Sequence, residues 1–282
     1  MKKGTVIRII LCVICIVGII FCLFHIISEL RDYRESEQTY EKLEKKAVSV
    51  TGNMEEPDDP TIFDESAGEE TGQENGEPLN ENWWFEDVSI NFDLLQQQNS
   101  MIAAWIRFDH QDQVPIDYPV LLPDNDQQYL HKDIYGKTSK AGSLFFEADN
   151  RTPLTGAYKK DIIYGHMMKN GSMFAPLKKY LKEDSFYSNN PYFTVYIKGE
   201  ALRYRIFSVF ITEAGSEVYE YGFTETDELY RKHIDYLTAQ SKVHGTEPDY
   251  EHNILTLSTC AKSNSNQRIV VTAEQIDRKA TG

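Results

Sequence analysis

Apolar and polar positions change their rhythm three times along the chain. Ile9 to Ile27 is an apolar run of nineteen residues without a charge, interrupted only by the ring of His25. That is close to the ~20 residues a helix needs to cross a hydrocarbon layer. Ser28 to Lys46 is densely charged and free of Gly and Pro, which predicts a solvated helix over 29–50. Thr51 to Asn82 is rich in Gly, Pro, Asn, Thr and Glu with few large apolar groups. It lacks the surface to bury, so it reads as an extended, self-repelling linker.

From Trp83 onward, short apolar runs alternate with turn residues. Asn91 to Asn99 predicts a short helix with an Asn cap. Trp105–Phe108, Ile116–Leu121, Gly142–Phe146 and Asp161–Gly165 read as strands. Tyr192–Ile197 and Leu202–Phe210 flank Lys198-Gly199-Glu200-Ala201 as a hairpin. Thr224-x-x-Asp227 reads as a capping box opening a helix to Gln240, with Tyr230, Ile234 and Leu237 on one face. Asn253–Thr259 and Arg268–Ala273 are the last two strands. Many short strands and few helices predict a mainly β barrel or sandwich.

Charge sharpens this organisation. The net charge is −15, but 51–82 holds eleven acidic residues and no Lys or Arg, leaving only −4 on the rest. No basic face announces nucleic acid, so no nucleic-acid partner is expected. Lys2, Lys3 and Arg8 precede the apolar run, which predicts a cytoplasmic N-terminus and an extracellular remainder. A cleaved signal peptide is the rival reading, but Phe24-His25-Ile26-Ile27-Ser28-Glu29 offers no small-x-small cleavage site. The expected organisation is a cytoplasmic tip and single-pass anchor over 1–28, a juxtamembrane helix over 29–50, the linker over 51–82, and an extracellular domain over 83–282.

Cys12, Cys15 and Cys22 lie in the apolar run, and Cys260 is the only cysteine beyond it. It ends an apolar strand beside a polar turn, a common place to present a reactive group. A buried, inert thiol is the alternative, since free Cys is among the most buried residue types. A thiol nucleophile needs a base or cation nearby. His110, His131, His233, His244 and His252 sit in polar surroundings and read as surface residues. His166 differs, because it follows the strand ending Tyr164-Gly165 and opens a loop. Arg268 starts the last strand, where pairing with the Cys260 strand turns both side chains to one groove, suited to holding an oxyanion. Each residue alone also reads as structural. No Cys pair outside the apolar run, H-E-x-x-H or glycine-rich phosphate loop is present, so no cofactor or metal is expected.

Leu255-Thr256-Leu257-Ser258-Thr259-Cys260 followed by Arg268-Ile269-Val270-Val271 resembles the T-L-x-T-C signature of sortases and its downstream Arg. Ile163 to Phe174, Ile116 to Val120 and Gly142 to Phe146 resemble class B segments, in order, across roughly 91–276. The resemblance implies a closed eight-stranded β-barrel with N-terminal helices and a helix between strands six and seven. It implies a membrane-anchored cysteine transpeptidase that cleaves a C-terminal sorting signal of secreted proteins through a thioester. The acyl group then passes to an amine of peptidoglycan or its lipid-linked precursor. It assigns Cys260 as nucleophile, His166 as acid and base, and Arg268 as oxyanion or substrate stabiliser. It also implies that 215–223 forms a groove wall. One departure stands out: Ala261 and Lys262 follow the Cys where class B relatives often carry an acid, so no Cys-His-Asp triad is assigned. Three alternatives stay open: a pilin-polymerising sortase, a hydrolytic cysteine peptidase (in which Cys usually precedes His), and a non-enzymatic surface scaffold.

Overall fold

The computed structural model describes residues 3–50, 83–182, 185–261 and 266–281. In chain order these form α1 (Lys3–Ala47), β1 (Val48–Val50), α2 (Trp83–Glu86), β2 (Val88–Ile90), α3 (Phe92–Gln98), β3 (Ile102–Phe108), β4 (Asp117–Leu121), β5 (Leu144–Phe146) and β6 (Lys160–Tyr164). Then follow α4 (Phe186–Asn189), β7 (Tyr192–Ile197), β8 (Glu200–Glu213), α5 (Glu228–Gln240), β9 (Ile254–Cys260) and β10 (Gln267–Ala280), with 3-10 helices at Ala175–Leu181 and Glu217–Tyr219. The linker reading at 51–82 falls outside the described residues.

β3 to β10 close into a barrel in the order β10-β8-β7-β3-β4-β5-β6-β9. β4–β5 and β6–β9 pair in parallel and the other neighbours antiparallel. The eight-stranded barrel implied by the sequence is therefore present, and α5 lies between its sixth and seventh strands as expected.

β9 shows why its sequence reads as almost continuously apolar. Leu255 and Leu257 join the barrel core with Val271 and Ala273. Ile254, one step out of phase, joins a second apolar cluster with Phe207, Phe210, Val218, Tyr230, Ile234, Leu237 and Val270. α5 thus covers part of the outer barrel face, so the strand is buried on both sides. The β7–β8 hairpin closes with two residues rather than four. Ile197 pairs with Glu200, and Gly199 takes the positive φ of 83° that such a turn requires.

Two expectations are corrected here. α5 is capped by Asp227, whose side chain accepts from the Tyr230 amide at 2.8 Å; Thr224 lies outside the helix. The helix expected over 29–50 forms as far as Ala47 and is largely exposed, but one face of it is docked, not solvated. Tyr40, Leu43 and Ala47 are buried in the barrel's own core cluster, and the chain leaves the helix at Ala47 to pair β1 with β2. Tyr40 and Leu43 are three apart, and Leu43 and Ala47 four apart, so one helical face carries all three. That stripe is sparse enough to be masked by the charges around it.

Candidate active site

Three neighbouring strands build the site. In the parallel pair β6–β9, Tyr164 stands opposite Ser258. His166 lies two residues beyond Tyr164, and Cys260 two beyond Ser258, so both emerge at the same end of the barrel. In the antiparallel pair β9–β10, Cys260 stands opposite Arg268. His166, Cys260 and Arg268 line one cavity of about 410 Å3 together with Tyr164, Ser258 and Tyr219. Ser258 and Cys260 share the outer face of β9, out of phase with the core residues Leu255 and Leu257. The cavity is thus the uncovered continuation of the face that α5 roofs farther along.

Gly165 sets the position of His166. A Cβ there would stand 2.3 Å from Leu144 Cδ2 and 2.7 Å from Phe174 Cδ2. Phe174 in turn donates its amide to the His166 carbonyl at 2.9 Å. Gly165→Ala is therefore expected to push Phe174 and His166 aside together. It should cost roughly 1–3 kcal/mol of stability by overpacking and lower the rate of thioester formation. Melting temperature and single-turnover acylation measured on one sample check both effects.

The His166 ring is half-buried and oriented by a backbone carbonyl. Nε2 lies 2.7 Å from Leu130 O. A carbonyl only accepts, so Nε2 carries the proton and Nδ1 is the ring nitrogen left for proton transfer. The His131 ring stacks on it, with centroids 5.5 Å apart and planes 18° from parallel. Burial holds the His166 pKa below the usual histidine value. The Leu130 hydrogen bond pulls it the other way, and charge on His131 and Arg268 adds to the lowering.

Tyr219 walls the opposite side. Its hydroxyl lies 2.9 Å from Ser258 Oγ, and its ring stacks on Tyr164 at 6.3 Å. Its neighbour Val218 is fully buried, and the Val218 carbonyl accepts from Lys160 Nζ at 2.5 Å. Lys160 has no exposed surface. Its Nζ also lies 2.7 Å from His233 Nε2 on α5. Burial pushes Lys160 down to about 7, and burial plus the Lys160 charge pushes His233 down to about 3. A neutral His233 accepts from Lys160 and ties α5 to the wall of the cavity.

The structure brings together all three residues singled out from the sequence. Of the histidines read as surface residues, His233 is buried, while His131 is exposed as expected but stacks on His166. Neither sits in a local pattern that betrays its neighbours, which come from elements 35 and 73 residues away. Tyr221, also in the expected wall, turns away to donate to Asp149 at 2.9 Å. Among the described residues no group of three or more His, Cys, Asp or Glu side chains is placed to hold a metal.

Residues 112–276 match the model of the sortase domain family. The chain belongs to the sortase family. Two curated relatives assign the class. It is 34% identical to sortase B of Listeria monocytogenes over 59% of this chain and 65% of the relative. It is 30% identical to sortase B of Staphylococcus aureus over 68% of this chain and 77% of the relative. The chain thus spans just under two thirds of the Listeria protein's length. A crystal structure of B. anthracis sortase B superposes with a TM-score of 0.65 at 26% identity, covering 88% of this chain and 99% of that one. Two sortase B structures superpose with TM-scores of 0.60, one a substrate complex of the S. aureus enzyme and one a complex with triglycine. They are 28% and 27% identical to this chain, covering 66% and 68% of it and 86% of each of them. This sortase is of class B, and the activity of its family is cysteine transpeptidation.

Proposed function

We propose that this sortase anchors secreted proteins to the cell wall by cleaving a C-terminal sorting signal and joining the new carboxyl end to an amine. The supporting observation is the placement of Cys260, His166 and Arg268 on three adjacent strands around one cavity. Cys260 Sγ attacks the carbonyl carbon of the scissile peptide bond as its thiol proton passes to His166 Nδ1, forming a C–S bond and an oxyanion. Arg268, opposite Cys260 in the strand ladder, stabilises that oxyanion with fixed N–H donors. The intermediate collapses, the C–N bond breaks, and imidazolium His166 gives its Nδ1 proton to the leaving amine. An acceptor amine then attacks the thioester. Neutral His166 takes its proton, the C–N bond forms, and the thiolate departs.

The substrate and triglycine complexes of the sortase B neighbours support a peptide donor and an amine acceptor. The helix with an apolar segment of mean hydropathy 2.9 is the proposed single-pass anchor. Lys2, Lys3 and Arg8 hold the N-terminus in the cytoplasm, and the barrel stands outside.

Intact mass of the full chain in detergent micelles, incubated with a pool of sorting peptides, tests the reading. An acyl adduct on Cys260 that converts to ligated peptide on adding triglycine is the expected result. An adduct that water resolves as fast as triglycine overturns transpeptidation in favour of hydrolysis.

A further inference from the structure

α1 is a ruler. It runs unbroken from Lys3 to Ala47, rising ~1.5 Å per residue. Its large apolar side chains from Leu11 to Ile27 are all more than half exposed, and contact with the barrel begins two residues later. Lys169 Nζ lies 3.6 Å from the Glu29 carboxylate, and Lys140 Nζ lies 3.3 Å from that of Asp32. Farther along, Ser36 Oγ is 3.0 Å from Ser139 Oγ, Asn170 donates to Glu37 at 2.8 Å, and Tyr40 donates to Gly142 O at 2.7 Å. At the far end Ala47 O accepts from the Asn91 amide at 2.8 Å. The exposed ion pairs are individually weak. Burial of Tyr40, Leu43 and Ala47, together with the β1–β2 pairing, holds the helix in place.

Measured along the helix from Ile27, Glu29 stands roughly 3 Å up, Glu37 roughly 15 Å and Ala47 roughly 30 Å. The lowest parts of the barrel are therefore the loop that follows His166 (Lys169, Asn170) and the turn ending at Lys140. Lys132, Lys137, Lys140 and Lys169 on this edge are all exposed; Lys140 and Lys169 pair with Asp32 and Glu29, and Lys132 and Lys137 add positive charge that suits an anionic surface. The acidic stretch 51–82 does not separate span from barrel. β1 precedes it, β2 follows it, and Val50 pairs with Val88, so the chain leaves and returns at one edge.

We infer that α1 is a rigid strut that rests the His166-loop edge of the barrel on the membrane, with anionic phospholipid headgroups as its partner. The inference depends on the proposal that the apolar segment spans the membrane with the barrel outside. It fixes the catalytic cavity near the bilayer, within reach of amines carried on membrane-bound molecules, instead of letting it roam on a tether.

Full chain reconstituted in phosphatidylglycerol–phosphatidylcholine vesicles tests this. A photoreactive benzophenone residue replaces Asn170 or, separately, Lys198, which pairs with Asp93 at the far end of the barrel. Light-driven capture of phospholipid is expected to be at least ~10-fold greater from position 170. Seven helix-forming residues inserted between Ser28 and Glu29 lengthen α1 by about 10 Å with nearly unchanged phase. That insertion should reduce capture at 170 to the level seen at 198. Replacing 51–82 with a short Gly-Ser turn should leave capture unchanged. Equal capture at the two positions, indifference to the insertion, or sensitivity to the linker replacement overturns the strut. Release of the chain by alkaline carbonate overturns span and strut together. Thioester formation with soluble peptide, measured on the same samples, responds to neither and reports the proposed chemistry separately.

Discussion

Cys260→Ala is expected to abolish the acyl adduct and to lower transpeptidation by ~10⁴-fold or more, because it removes the nucleophile that forms the covalent intermediate. His166 and Arg268 remain in place in this variant, but they act on a bond that nothing attacks. Cys260 is half-exposed at the last position of β9, so losing its sulfur leaves no core void, and the strand pairing with Arg268 is made by backbone. The melting temperature should therefore stay within a few degrees of the parent while activity disappears. Intact mass and ligation rate on the same preparation check this. Turnover within tenfold of the parent would overturn the assignment of Cys260 as nucleophile. The pairing of full activity loss with intact stability separates a chemical role from a structural one.

Much of this site was legible because the barrel places it through strand register. Tyr164-Gly165-His166 and Ser258-Thr259-Cys260 each end a strand in sequence, and parallel pairing of β6 with β9 brings the two ends level. Arg268 follows by antiparallel pairing across the turn. The parts that escaped are held by contacts between distant elements. Leu130 and His131 reach His166 from a segment without regular periodicity, so nothing local marks them. Lys160 and His233 sit where a strand and a helix present polar residues, and their burial comes only from the packing of α5 over the outer barrel face. The docking of α1 was hidden differently. Tyr40, Leu43 and Ala47 make a stripe of three residues in a run dominated by Glu and Lys, and charge density outweighed periodicity. Asp227 displaced Thr224 as the α5 cap because the helix begins one turn later than the capping-box spacing suggested.

His166→Ala is expected to reduce acylation by ~10²–10⁴-fold, and the ionisation of His166 should be visible in the parent protein. Its pKa lies below the usual histidine value, chiefly through burial, with charge on His131 and Arg268 contributing. The sign for stability follows. As pH falls through the ordinary histidine value of ~6.5, the unfolded chain takes up a proton that folded His166 does not. Stability therefore declines from there down to the lower folded pKa, and this contribution is flat above and below that window. His166→Gln removes this slope, which melting curves between neutral and acid pH can measure. The same electrostatics predict the direction of two perturbations. Arg268→Gln and His131→Asn each remove positive charge near the ring and should raise the His166 pKa, followed by NMR of its Cε1 proton. An upward shift in both variants supports a cavity whose cations keep His166 neutral at rest, free to take a proton on Nδ1 and ready to pass it on. No shift on removing Arg268 would mean that its charge is not felt at the ring, and the shared-cavity chemistry proposed for the pair would fail with it.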